Sequence, residues 1–113
     1  MSDLEYYAVI FTSELSGIDS IGYNEMAEKM VELAKNQNGF LGIESARGAD
    51  NCGITISYWK SINDINAWKI NSEHLLAQEH GRNKWYKSFK TRICKVQREK
   101  ENNNNYRTWT VEK

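Results

Sequence analysis

The sequence of 113 residues contains no proline, so every turn has to be formed by other residues. Glycine, asparagine, aspartate and serine adopt turn conformations most readily. They form short groups at 16–20, 48–53 and 102–105, between segments that are richer in apolar residues. These groups predict where the secondary-structure elements end.

Cysteine and histidine are also scarce. Cys52 and Cys94 are the only cysteines and form no CxxC motif, which indicates free thiols in a reducing, cytoplasmic compartment. His74 and His80 are the only histidines, and their spacing is not that of an HxH or HxxxH metal motif. The sequence therefore predicts no metal site.

Neither sign of charge is in excess, because fifteen basic residues balance fifteen acidic ones. This balance gives no indication of nucleic acid or an anionic membrane as a partner. No apolar run approaches the roughly 20 residues that span a bilayer, and the first five residues lack the basic start of a signal peptide. We expect a single cytoplasmic domain without a nucleic-acid or membrane partner.

The residues that are present predict four strands and two main helices. Alternating apolar and β-branched residues favour strands at 4–13, 40–47, 54–59 and 89–98. An apolar stripe predicts a helix at 21–37 that ends at Asn38-Gly39. Ser61 with Asp64 three residues later is typical of a capped helix start, and a short helix is expected at 82–87.

This order of elements is that of the split βαβ, or ferredoxin-like, fold of the α+β class. Its antiparallel four-stranded sheet has both main helices on one face. The other face would carry one alternating set of apolar residues, for example Tyr7, Val9 and Phe11, and a homodimer paired sheet to sheet would cover it. The domain is expected to span 1–100. After the asparagine run, a C-terminal tail at 101–113 could add an edge strand in which Trp109 is ordered.

Several short motifs resemble the antibiotic biosynthesis monooxygenase domain family. The matching residues are Gly39-Phe40-Leu41-Gly42, Glu44-Ser45, Arg47-Gly48, Ile54-Thr55, Ser57-Tyr58-Trp59, Trp68, Glu73-His74, Gly81-Arg82 and Trp85-Tyr86. The resemblance covers roughly residues 5 to 99. It implies a dimeric α/β barrel and a small aromatic substrate, but it does not distinguish the family's activities.

The haem-degrading branch of that family uses an asparagine on the first strand, a tryptophan on the second helix and a histidine ten residues later. Trp68 matches the tryptophan, but the later position is Gln78 and the first predicted strand has no asparagine. The resemblance therefore favours the cofactor-free branch, and no cofactor is expected. Haem remains the cofactor of the alternative hypothesis.

The cofactor-free branch implies the candidate site residues. Its asparagine, tryptophan and tyrosine positions correspond here to Asp64, Trp68 and His74. Imidazole is a natural proton acceptor at neutral pH, so His74 would take the substrate's proton. Arg82 could hold the resulting anion or form a surface salt bridge. Trp68 could form a wall of the site or part of the core. The remaining candidates for substrate binding are Asp64, Gln78 and Tyr58.

A shared cavity for Trp68 and His74 requires an irregular helix. Six residues correspond to about 600° of helical rotation, which turns the two side chains in different directions. We therefore predict a helix break near Ser72, a residue type that favours caps over helix interiors. Three functions are considered: a cofactor-independent monooxygenase of phenols or hydroquinones, a haem-binding or haem-degrading protein, and a non-catalytic dimeric binding module.

Overall fold

The computed structural model describes residues 5–78 and 82–102. The elements are β1 (Tyr6–Leu15), α1 (Ser20–Lys35), β2 (Phe40–Arg47), β3 (Cys52–Trp59), α2 (Ile62–Gln78), α3 (Arg82–Trp85) and β4 (Tyr86–Val96). Their order confirms the predicted ferredoxin-like fold. The largest shift of a strand start is at β4, which begins at Tyr86 because Tyr86 pairs with Leu15 after an irregularity in the ladder.

The four strands form one antiparallel sheet in the order β2-β3-β1-β4. Its two central strands are therefore β3 and β1. At the middle of β1, Val9 lies opposite Ser57 of β3 on one side and Ile93 of β4 on the other. Directly opposed residues of an antiparallel pair share a face, so this register determines which side chains meet the helices.

The helix-facing side of β1 carries Tyr7, Val9 and Phe11. Tyr7 and Val9 pack against the buried core, so the expectation that this set lies on the uncovered face is wrong. The uncovered face instead carries the alternate set, which includes Ala8 and Ile10. Both sets are apolar, and the period of two alone does not tell which one faces the helices.

The face opposite the helices, called here the open face, is largely apolar near its centre. Ala8 is buried there although no helix covers it, and the rings of Tyr6 and Tyr58 meet edge to face at 5.9 Å. The Tyr58 hydroxyl donates a hydrogen bond to Glu44 Oε2 at 2.6 Å. Ile54, on the same face, is 37% exposed.

The core between sheet and helices is built around Trp59, which is fully buried together with Ala34 of α1 and Ile65 of α2. The indole N–H of Trp59 donates to Ser57 Oγ at 2.9 Å, so its polar atom is satisfied inside the core. The ring of Phe40 meets Trp59 edge to face at 5.5 Å. The interpretation of Trp59 as a packing residue is confirmed.

The start of α1 is tied to α3 by Asp19. This residue adopts the left-handed conformation and accepts a hydrogen bond from the Gly22 amide at 3.1 Å, as an N-cap does. Its Oδ2 lies 3.0 Å from Lys84 Nζ. The hydrogen bond from Lys84 and that from Gly22 lower the pKa of the Asp19 carboxyl. Ser16 Oγ donates to the Lys84 carbonyl at 2.8 Å, which holds α3 against the end of β1.

The predicted edge strand with Trp109 lies outside the described residues. No helix in the described part of the chain is long and apolar enough to cross a membrane.

Candidate active site

Helix α2 is continuous from Ile62 to Gln78, so the predicted break near Ser72 is wrong. Ser72 Oγ donates a hydrogen bond to the carbonyl of Lys69 at 3.0 Å. A serine in a helix interior is tolerated when its hydroxyl bonds to the preceding turn in this way. The side chains of Trp68 and His74 consequently point away from each other.

A groove of about 790 Å³ separates α1 from the second half of α2. Its lining comes from α1 with its C-cap residue and from α2: Glu25, Glu28, Lys29, Glu32, Leu33 and the C-cap Asn36 on one side, and Asn71, His74, Leu75 and Gln78 on the other. The Asn71 side-chain amide donates to Gln37 Oε1 at 3.1 Å and joins α2 to the turn after α1, beside the groove. The volume is in the range of small-molecule sites.

The groove brings together two of the predicted site residues, His74 and Gln78. Both are exposed, and their Nε2 atoms lie 3.4 Å apart, which allows at most a weak hydrogen bond. The imidazole is therefore open to a ligand in the groove. Leu33 and Leu75 supply apolar surface next to it.

The groove is acidic along α1. Glu25, Glu28 and Glu32 line it, against a single lysine, Lys29. A concave surface with one sign of charge attracts the opposite sign and repels its own. Neutral or cationic ligands are thus favoured over anions. Among the described residues, no group of three or more histidine, cysteine and carboxylate side chains could hold a metal ion.

Trp68 lies outside the groove lining and belongs to the core. Its ring stacks on Trp59 with 5.7 Å between centroids and 24° between planes. Trp68 is half-buried in this position. Of the two sequence interpretations of Trp68, this contact favours the one in which it packs in the core.

The remaining predicted site residues lie apart. Asp64 is half-buried at the start of α2, where its Oδ2 accepts a hydrogen bond from Ser61 Oγ at 2.8 Å and its amide donates to the same hydroxyl at 3.1 Å. Tyr58 is on the open face of the sheet. Arg82 begins α3; its side chain lies outside the described part of the structure.

An aromatic cluster that the sequence analysis missed lies on the helix-facing side of the sheet, at the end of β1 that is distant from Trp59. We call it the Tyr23 cluster: Phe11, Tyr23, Tyr86 and Phe89. Ring centroids are 5.5 Å apart for Phe11 and Tyr86, and 6.0 Å apart for Tyr23 and Tyr86. Burial is the main cause that raises the pKa of the Tyr86 hydroxyl, and the neighbouring Tyr23 raises it further. Arg47 lies over the Tyr23 ring at 5.9 Å. No local motif could have indicated this cluster, since it joins β1, α1 and β4.

The sequence matches a family model described as "Monooxygenase af470-like" over residues 18–99. A Bacillus subtilis (strain 168) protein, named "Uncharacterized protein YqjZ", is 54% identical over 95 residues, which cover 84% of this chain and 82% of the relative. Both matches include the two helices that form the groove.

Solved structures of similar fold have low sequence identity. The cofactor-independent oxygenase SnoaB from Streptomyces nogalater, in a variant form, superposes with a TM-score of 0.66 at 13% identity and covers 86% of this chain and 97% of its own. A variant of MhuD with two manganese protoporphyrin IX molecules per active site superposes with a TM-score of 0.66 at 15% identity. The match covers 85% of this chain and 99% of the MhuD chain. The chain therefore belongs to the af470-like monooxygenase family and has the antibiotic biosynthesis monooxygenase fold.

Proposed function

We propose that this protein is a cofactor-independent monooxygenase that oxidises a small, uncharged phenol or hydroquinone with molecular oxygen. The observation that carries the proposal is the groove between α1 and α2, which presents an open imidazole beside apolar surface in a chain of the monooxygenase family. SnoaB, which shares this fold, is a cofactor-independent oxygenase and supports the same class of reaction.

In this proposal His74 removes the phenolic proton, and Gln78 helps to orient the ring. In a phenol whose para carbon carries a hydrogen, the electron-rich ring then reacts directly with oxygen at that carbon. One oxygen atom becomes a carbonyl of the product, and the other leaves as water with the two hydrogens that the substrate loses. The substrate supplies all the electrons. Arg82, the residue proposed to hold the anion, is near in sequence to the end of α2.

The test is oxygen uptake with a panel of phenols that includes 1-naphthol. Wild-type protein should consume oxygen above the rate of the heat-denatured sample. The His74→Gln variant should lose about 100-fold or more, as expected for a general base. Lys69→Gln, an exposed change on the same helix outside the groove lining, is the matched control. Equal rates for wild type and His74→Gln would remove His74 from the mechanism.

The haem alternative makes a different prediction for the same groove. The MhuD structure in the comparison contains a porphyrin, but haem carries two propionates, and Glu25, Glu28 and Glu32 would repel them. We therefore expect no Soret shift on titration with haemin. A shift that His74→Gln abolishes would favour haem binding.

A second candidate is a non-catalytic binding module. It is favoured by the separation of His74 from Trp68, since a catalytic pair that shares one enclosed cavity is not formed. A phenol that binds in the groove without any oxygen uptake would support this candidate over the monooxygenase.

A further inference from the structure

Arg47 reaches from an outer strand towards the middle of the sheet. The register places Arg47 of β2, Gly53 of β3, Ser13 of β1 and Phe89 of β4 side by side on the helix-facing side. Gly53 has no side chain, and a Cβ atom there would be only 2.6 Å from Arg47 Cζ. The guanidinium group therefore lies over the Gly53 backbone, and its Nη2 donates to Ser13 Oγ at 3.0 Å.

Arg47 is half-buried and has no carboxylate partner among the described residues. Among residues 5–78 and 82–102, no acidic side chain lies within salt-bridge distance of it. The two acids nearest in sequence are otherwise engaged: Asp50 Oδ1 accepts the Cys52 amide at 3.0 Å, and Glu44 Oε2 accepts the Tyr58 hydroxyl at 2.6 Å. Glu14, next to Ser13 on β1, has its Oε2 3.6 Å from Lys87 Nζ. A partly buried charge without an ionic partner is uncommon, because desolvation is costly.

Protein acceptors use only part of the hydrogen-bonding capacity of Arg47. Nη1 donates to the carbonyl of Asn51 at 2.6 Å, and Nη2 donates to Ser13 Oγ. An arginine has five N–H groups in one plane. Those that remain can form the paired hydrogen bonds that a guanidinium makes with a carboxylate.

The surroundings of this cation are aromatic. Arg47 lies over the ring of Tyr23, and Phe11 stacks on Phe89 at 5.6 Å with 28° between the planes. Phe89 is 46% exposed, so one aromatic surface at the cluster is accessible from solvent. A flat ring could pack against it while an attached anionic group meets the guanidinium.

We propose that Arg47 and the Tyr23 cluster form a second binding site, separate from the groove, for a small aromatic carboxylate. The proposal goes beyond the proposed function and does not require oxygen chemistry. It also separates ligands by charge: the acidic groove takes uncharged aromatics, whereas the site at Arg47 takes anionic ones.

Isothermal titration calorimetry on the full chain with 1-naphthoate and its uncharged analogue 1-naphthamide tests this proposal. Wild-type protein should bind 1-naphthoate about tenfold or more tightly than the amide, as expected for hydrogen bonds to a charged group. Arg47→Gln should abolish the preference, and Arg47→Lys should weaken it because the planar fork is lost. Arg98→Gln, which changes an exposed arginine beyond the end of β4, should keep it.

A second variant leaves the charge in place. Gly53→Ala puts a methyl group where the guanidinium lies and should also reduce the preference, so the test does not depend on the folding of the Arg47 variants. In wild-type protein, nuclear Overhauser effects should connect naphthoate protons with the ring of Phe89. The proposal would be overturned if wild-type protein showed no preference for 1-naphthoate, or if both Arg47→Gln and Gly53→Ala retained it. Nuclear Overhauser contacts only to Leu33 and Leu75 of the groove would also overturn it.

Discussion

At the scale of single residues, the contact between Gly39 and Asp64 fixes the entry into β2 and the start of α2. Gly39 has a φ of +81°, and a Cβ atom there would lie 2.0 Å from Asp64 Oδ2. The same carboxylate accepts the hydrogen bond from Ser61 Oγ. A side chain at residue 39 would therefore displace the carboxylate that takes part in the cap of α2. Asp64 is half-buried because it packs against Gly39.

Gly39→Ala should consequently lower the free energy of unfolding by more than the backbone strain of an alanine with positive φ would alone. Gly17→Ala is the matched control, because Gly17 has a φ of +85° and nothing lies within 4 Å of a Cβ atom there. We expect about 1 kcal/mol for Gly17→Ala and about 1 kcal/mol more for Gly39→Ala through the disturbed cap. Urea denaturation measures both free energies of unfolding. Equal losses would show that the Asp64 contact is unimportant.

At the scale of the elements, the continuity of α2 decides how the candidate site is arranged. The hydroxyls of Ser61 and Ser72 have opposite roles in this helix. Ser61 Oγ accepts from the Asp64 amide at the helix start, whereas Ser72 Oγ bonds back to the preceding turn in the interior. The sequence pattern permitted both residues as caps, because serine favours such positions.

Alanine substitutions distinguish the two roles. Ser61→Ala should lower the free energy of unfolding by about 0.5–2 kcal/mol through the lost cap. Ser72→Ala should leave stability unchanged or raise it by a few tenths of a kcal/mol, since alanine is the better helix former. Chemical denaturation followed by circular dichroism measures both. A loss of about 1 kcal/mol for Ser72→Ala would indicate that a second helix begins at Ser72 after all.

At the scale of the whole molecule, much of the fold could be predicted from the sequence because its signals are local. Ser61 with Asp64 indicated the start of α2, and Asn38-Gly39 indicated the end of α1, which the structure places at Lys35. The face of β1 that meets the helices could not be predicted, because Val9 and Ile10 are both apolar. The cluster around Arg47 depends on the register of four strands, which no short motif encodes.

The open face leads us to expect a homodimer in solution. Ile10, Ile54 and Ile56 lie on this face, and a self-complementary pairing of two sheets would cover it. Light scattering at micromolar concentration should give twice the chain mass of 13.1 kDa. Ile10→Glu should give the monomer mass, because the interface cannot accommodate an unpaired charge.

Ile70→Glu is the control for this experiment, since Ile70 is on α2 and 69% exposed. It should leave the dimer intact. A wild-type mass of one chain, or a dimer that persists in Ile10→Glu, would contradict the expected pairing.

We propose above that this chain transfers one atom of molecular oxygen to an uncharged phenol. The most direct measurement is mass spectrometry of the quinone formed from 1-naphthol under ¹⁸O₂, with heat-denatured protein as the reference. We predict that wild-type protein forms 1,4-naphthoquinone with one ¹⁸O atom and that His74→Gln forms far less of it. The monooxygenase proposal would be contradicted if, across the panel of phenols, the native protein formed no more labelled quinone than the denatured protein.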